Sequence, residues 1–574
     1  MLMQDTGVYG LAAAKTYLEI NPSADIIVLD GAKSIGGVWA AERLYPGLRS
    51  NNLLGTYEYS DFPMDEASFG VKPGHHIPGE VIHKYLNAYA TKFNIARKVR
   101  LQSKVYVVQQ DDNAGWILEV ATQAGESSSD ISKLHAKRLI VATGLASEPL
   151  RVSLPGMDDF GAPIFHSREF RAHSDMLKEA KVVTVLGGHK SAWDAAYEFA
   201  ANGVQVEWVI RESGHGPIWS APSHVTPLKM WLEKLIFTRL LTWFSPCIFA
   251  NSYVRRFLHG TFVGRFFVDT FWKILESDLV QLNGYDEHPE TKKLKPWNAA
   301  FWIGNGLSIL NFPTSIFDMV KKGQIHVHVR DIVRLSEKHV HLSNGEILPS
   351  DAIICASGWK PQPSIEFLPT TLNARLGLPH TSDQKNDLAV AADRDILGRY
   401  PRLRNQPVLN PKYKPLTGDA EAQASINEPF RLYRFMVSPD PDFLKLHNIG
   451  FAGMIWTLSQ TVCAQMQSLW LTAYLDGKLK IDQAPDQVLW EATLFSQFQK
   501  WRHPTGYGNM VPDLVFETLP YFDFIMDDLG LQVHRKKTTF AELFEGYGPE
   551  DYREIVKEWK EKNVYSSINI DYTH

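Results

Sequence analysis

The chain has 574 residues, with 59 basic and 64 acidic side chains and a net charge of −5. A hydrophobic fraction of 44% and a charged fraction of 21% describe a globular protein with room for several domains. The slightly acidic balance gives no ground for a nucleic-acid partner. Three cysteines, Cys247, Cys355 and Cys463, lie far apart without a CxxC pair. That argues against a disulfide framework or a thiolate zinc site, and fits a reducing, cytoplasmic compartment. The start, MLMQD, has neither the basic nor the apolar segment of a cleavable signal. The 16 Trp, 21 Tyr and 30 Phe point to large apolar cavities or interfaces.

In chain order, TGVYGLAAA carries Gly7 and Gly10 and reads as the end of a GxGxxG turn entering a helix. IIVLD follows as a strand ending in Asp30, at the spacing of a ribose contact. Asp5 stands where the fingerprint has its first glycine, and the strand before it is confined to four residues. A carboxylate there would face a pyrophosphate and repel it. Gly36, Gly37, Val38 and Trp39 give a flexible backbone beside a large ring, suited to skirting a flavin or simply a glycine turn with a core tryptophan. YPGLRSNN reads as a loop bearing two adjacent amides, Asn51 and Asn52.

The stretch VVTVLGGHKSAWDAAYEFAANGVQVEWVIR, which ends at Arg211, is an apolar run, a glycine turn, an amphipathic segment and a second apolar run. This is a βαβ unit, and its turn sits where such units cradle a pyrophosphate. Gly187 permits the tight turn and Ser191 can donate to a phosphate at the helix start, while His189 takes the place of the second glycine. Arg211 lies about twenty residues on, where an acid would select NAD and an arginine accommodates the 2′-phosphate of NADP. The plain alternative is a structural βαβ with a surface arginine.

Residues 217–280 carry Trp219, Trp231, Trp243 and Trp272 with Arg239, Arg255, Arg256 and Arg265 interleaved. No window reaches the ~20 apolar residues of a spanning helix. Amphipathic helices here would either roof a substrate tunnel, the preferred reading, or lie on a membrane surface with arginines at the headgroups. IHVHV puts His326 and His328 on one strand face, expected to be solvated, with His339 and His341 nearby. No Asp or Glu stands out to complete a metal site, so these histidines read as structural. Residues 372–421 read as a long excursion at the active-site rim, and 549–562 as a charged helix, solvated or docking.

These pieces together resemble the class B flavin monooxygenases, the flavin-containing monooxygenase and Baeyer–Villiger group, and within it the fungal enzymes of secondary metabolism. The matching segments are GVYGLAAAKTYLE, IGGVW, YPGLRSNN with DFPM, VATG, FHSREF, LGGHKSA, ICASGW and FAGMIWT, in the family's order. The resemblance implies an α/β fold with two Rossmann-like dinucleotide-binding domains, the NADPH domain inserted in a discontinuous FAD domain. The division expected is FAD domain 1–179, NADPH domain 180–323 with a helical aromatic-rich insertion, FAD domain 324–480, and a helical tail 481–574. It assigns FAD contacts to Gly7, Gly10, Asp30, Gly36, Gly37, Val38, Trp39, Asn51, Asn52, Thr143 and Gly144. NADPH contacts fall on Gly187, Gly188, Lys190, Ser191 and Arg211. Asn51 matches the amide that supports the oxygenated flavin in flavin-containing monooxygenases.

The family fingerprint departs from pattern, with Ala162 where FxGxxxH has glycine. Phe170 stands where Baeyer–Villiger members carry tryptophan, which tilts the subclass toward the flavin-containing type. His166 is expected to act as a hydrogen-bonded linker between domains rather than a catalyst. The implied activity is NADPH-driven, FAD-dependent insertion of one oxygen atom from molecular oxygen into a small organic metabolite. Its rivals are Baeyer–Villiger oxidation of a ketone and a non-catalytic NADP-binding relic that has lost FAD. Peripheral contact with an intracellular membrane through 218–280 is the one partner beyond substrate and oxygen.

Overall fold

Short runs of β-branched and aliphatic residues such as IVL, LIV, VVTVL and IIC form strands because they can be covered on both faces. In this computed structural model they assemble into two separate five-stranded parallel sheets. The structure describes residues 1–123, 129–225, 229–304, 306–416, 418, 426–479, 481, 483–505 and 508–570.

The first sheet runs in the order Ile449–Phe451, Leu139–Val141, Leu2–Gln4, Ile27–Leu29 and Val99–Arg100. The helix Val8–Ile20 links its central strands, entering directly from the first glycine turn. It packs on the helix Gln460–Leu475, whose sixteen residues are buried almost all round. Such a helix carries polar side chains only where each finds a partner. Gln467 does so, accepting from the Gly453 amide (2.9 Å) and donating to the Tyr521 hydroxyl (3.0 Å).

The second sheet runs Ile164–His166, Ile353–Cys355, Val182–Leu186, Gln205–Ile210 and Ile325–Val329. It lies, in sequence, inside the first, which draws strands from residue 2 and from residue 451. The two-sheet α/β architecture with a discontinuous first domain is therefore as expected. The sheet edges do not coincide with the division at 179/180 and 323/324, because three strands of the second sheet lie outside 180–323. Parallel pairing needs crossovers of a dozen or more residues, so neighbours in the sheet come from distant sequence.

Two local expectations change, and two are given detail by the structure. The segment with the paired amides is not all loop, since Arg49–Leu53 pairs as a strand with His76–Pro78. The excursion 372–421 contains the helices Leu372–Leu376 and Asp387–Arg399; its positions 417 and 419–421 lie outside the described residues. His326 and His328 are not simply solvated, because Glu207 on the adjacent strand accepts from both, at 3.1 and 2.6 Å. Even so, among the described residues no group of three His, Cys, Asp or Glu side chains could hold a metal ion. The charged tail segment is a 3-10 turn, Pro549–Tyr552, then the helix Ile555–Ile570. Tyr552, Ile555, Val556 and Trp559 bury against the main core, so it docks.

Candidate active site

In doubly wound folds ligands bind beyond the carboxyl ends of parallel strands. Here one cavity of about 1690 Å³ collects those ends from both sheets. It is larger than the roughly 300–1,000 Å³ of a single-ligand pocket and touches both glycine turns.

At the first turn, Gly7, Asp30, Gly37, Val38, Trp39, Thr143 and Gly144 line the cavity, whereas Gly10 and Gly36 stand behind its wall. Gly10 is required there because a Cβ would lie 1.9 Å from the Asp5 carbonyl oxygen. Asp30 accepts from the amides of Thr6 and Ala32, both at 2.8 Å, and from the Thr6 hydroxyl. These bonds fix its carboxylate at the cavity edge. The Thr143 hydroxyl and the Gln4 side-chain carbonyl are buried without a partner among the described residues, and both residues line the cavity. Such orphaned groups fit a polar ligand laid along this wall.

Asp5 fits it badly. Its backbone is left-handed, φ 81°, the conformation for which the fingerprint supplies glycine. Its Oδ1 accepts from the Gly7 amide at 2.6 Å, so the side chain fills the cradle that its own turn builds. Burial, then the neighbouring Asp30 charge, pushes the Asp5 carboxyl well above its usual range. The Gly7 bond and the cations Arg43 and Arg168 pull the other way.

At the second turn, Gly187 adopts φ 139°, and a Cβ there would lie 2.6 Å from the Ala356 carbonyl oxygen. Gly188, Lys190, Ser191 and Arg211 line the cavity beside it. The helix Lys190–Ala201 starts at this point without a side-chain cap, which leaves its N-terminus open to an anion. His189 is held neutral by burial, its pKa lowered to about 4, so it adds no charge. Lys190 is paired with Asp194 and donates to Asn311 (2.8 Å).

The floor between the turns is the strand Arg49–Leu53, where the adjacent amides part company. Both line the cavity, but Asn51 makes no side-chain hydrogen bond to any described residue. Asn52 is tied to Glu233 and to the Leu458 carbonyl (3.0 Å). Glu233 is 0% exposed and also accepts from the Leu53 amide (2.9 Å), the Thr56 hydroxyl (3.0 Å) and the Trp231 indole (3.2 Å). Asn311 grips the same strand, donating to the carbonyls of Arg49 (3.0 Å) and Ser50 (3.2 Å). Trp39 stands beside this floor, its indole donating to the Tyr57 hydroxyl at 2.7 Å.

A family model described as pyridine nucleotide-disulphide oxidoreductase matches residues 57–241. A FAD-dependent monooxygenase of Aspergillus sclerotiorum is 34% identical, over 98% of this chain and 98% of its own length. The chain belongs to the FAD-dependent monooxygenases. The fold of this monooxygenase is similar to that of the polycyclic ketone monooxygenase of Thermothelomyces thermophila (TM-score 0.58, 14% identity, 98% of this chain and 87% of that one). It is also similar to cyclohexanone monooxygenase of Rhodococcus sp. Phi1 bound to NADP+ (TM-score 0.57, 16% identity, 92% and 96%).

Within the monooxygenase, His166 has both ring nitrogens occupied. Nδ1 accepts from the Arg168 amide (3.0 Å) and Nε2 donates to the Gly358 carbonyl (3.1 Å). Burial lowers its pKa to about 4, so it is a neutral tie between FHSREF and ICASGW rather than a proton donor to the cavity. Arg43 and Arg168, which are not among the residues the motifs single out, line the cavity as cations acting on Asp5. Arg168 was visible inside FHSREF; Arg43 had no motif. Glu233 sat in an apolar run, where a lone acid signals a buried partner only once the fold supplies one.

Proposed function

We propose that this enzyme uses NADPH and FAD to transfer one atom of molecular oxygen to a small organic metabolite, in fungal secondary metabolism. The observation carrying the proposal is the one cavity that spans both glycine turns with Asn51 on its floor. When bound, FAD would take reducing equivalents from NADPH and activate oxygen. The chain's own task is positioning. Asp30 and the Thr143 hydroxyl would hold FAD along the first turn. The second turn and the start of Lys190–Ala201 would hold the NADPH pyrophosphate. Asn51 would offer an amide toward the reacting edge, while Trp39 and Tyr57 keep that end apolar and shut out water. Substrate-dependent NADPH consumption that matches oxygen incorporated from labelled O2 into product tests the reading. Consumption without labelled product overturns it.

Arg211 is proposed to select NADPH. Arg211→Ala should raise the Michaelis constant for NADPH on the order of tenfold and leave that for NADH nearly unchanged. Equal effects on both coenzymes would sink the assignment.

The proposed further contact is an anionic membrane surface. Of the described residues of 217–280 only Ile218, ahead of the helices, lines the cavity, so those helices do not roof it; positions 226–228 lie outside the described residues. The helices Tyr253–Gly260 and Phe262–Asn283 instead turn aromatic side chains outward, with Tyr253 84% and Phe262 81% exposed. Residues 251–268 contain no acid, and Arg256 and Arg265 flank the exposed rings. Apolar rings beside cations match the interface of an anionic bilayer. No helix of the described residues is long and apolar enough to cross one. The parent should float with phosphatidylserine vesicles, and the double variant Phe262→Ser, Phe266→Ser should lose at least about tenfold in partitioning, the scale of two buried aromatic rings. Failure of the parent to bind, or equal binding by both, refutes the surface.

A further inference from the structure

Residues 405–416 leave the first domain's excursion and lie across the loop that follows the strand Gln205–Ile210. Asn410 pins them, its amide nitrogen donating to the carbonyls of Glu212 (2.7 Å) and Gly214 (2.8 Å). The Lys414 amide donates to the Ser213 carbonyl (2.9 Å), and Arg211 Nη1 donates back to the Lys414 carbonyl (3.0 Å). Tyr413 packs on His215, ring centroids 4.6 Å apart. This strap therefore closes over the place where Arg211 enters the cavity.

An acid follows Arg211 directly. At the end of this strand in dinucleotide-binding folds, a carboxylate aimed into the site accepts from ribose hydroxyls and repels a 2′-phosphate. Glu212 does not line the cavity, whereas Arg211 does. Its Oε1 is instead paired with Lys412 Nζ at 2.5 Å. The other nearby acid, Asp331, is occupied by the Ser213 amide (3.1 Å) and hydroxyl (2.8 Å). Of Arg211, Glu212 and Asp331, Arg211 is the one that lines the cavity.

Resting on the assignment of Arg211 above, we infer that Lys412 is a positioning residue for coenzyme choice: it draws Glu212 out of the cavity so that the 2′-phosphate of NADPH meets Arg211 alone. Lys412 and Glu212 are 65% and 35% exposed at their side chains, so their replacement leaves the core intact.

The test measures binding of adenosine 2′,5′-bisphosphate and of 5′-AMP by calorimetry, with the protein held in saturating FAD, independent of turnover. Lys412→Ala should weaken the bisphosphate about fivefold and leave 5′-AMP unchanged or tighter, the scale of one partly screened surface charge. Adding Glu212→Gln to that variant should restore the bisphosphate, and raising the salt should shrink the difference. Equal losses for both ligands, or no rescue by Glu212→Gln, would overturn the inference. Arg211→Ala serves as the separate control. If it leaves discrimination between the two ligands intact, the assignment beneath the inference falls, a result distinct from failure of the Lys412 pair.

Discussion

Asp5→Gly should convert a protein that purifies largely without flavin into a yellow, FAD-loaded one. Two costs are removed together. A non-glycine residue held at φ 81° costs about 1–3 kcal/mol. Its carboxylate also occupies the Gly7 amide that a pyrophosphate oxygen would otherwise take. The strain weakens the fold with or without ligand. The freed amide, a hydrogen bond to a charged group, is worth about 1.5–3 kcal/mol. It tightens FAD binding roughly ten- to over a hundredfold, at about 1.4 kcal/mol per decade. The pH dependence follows in sign. The Asp5 carboxyl is already raised by burial and by Asp30, and an anionic ligand raises it further. FAD binding therefore takes up a proton, and parent affinity should rise as pH falls through the Asp5 titration. Asp5→Gly should lose that component of the slope. Flavin absorbance after gel filtration, taken across pH for both proteins, is the measurement. A parent that already retains stoichiometric FAD at neutral pH would falsify the account.

Asn51→Ala should leave reduction of the flavin by NADPH intact and divert oxygen to hydrogen peroxide. Loss of one preorganised donor at a reacting centre costs on the order of a hundredfold, so product formed per NADPH should fall steeply while peroxide rises to match. Asn52 is no substitute. Its amide is committed to Glu233 and to the Leu458 carbonyl, and turning it would leave a wholly buried carboxylate short of a donor. Product and peroxide measured together decide the matter. Unchanged coupling in Asn51→Ala would move the role to another cavity residue, with Asn52 excluded on geometry.

The sequence by itself determined the parts whose physics is local. Gly187 is legible because its backbone conformation suits no other residue well, and the apolar runs around it because both faces of a parallel strand are covered. Asp5 was legible for the same reason, as a residue in a glycine's place. Arg211 followed from spacing along a βαβ unit. What the tertiary structure alone decided is how side chains far apart in the chain compete for one another. Asn51 and Asn52 are neighbours with the same chemistry on one cavity wall, yet Glu233, 181 residues from Asn52, takes its amide and leaves that of Asn51 without a partner among the described residues. Glu212 reads as an acid beside Arg211 until Lys412, 200 residues on, turns it outward. The aromatic run of 253–267 reads by preference as the roof of a tunnel and turns out exposed, because helical periodicity fixes which residues share a face but not what that face meets. Burial and pairing belong to the assembled chain, and they decide which polar groups remain free to act.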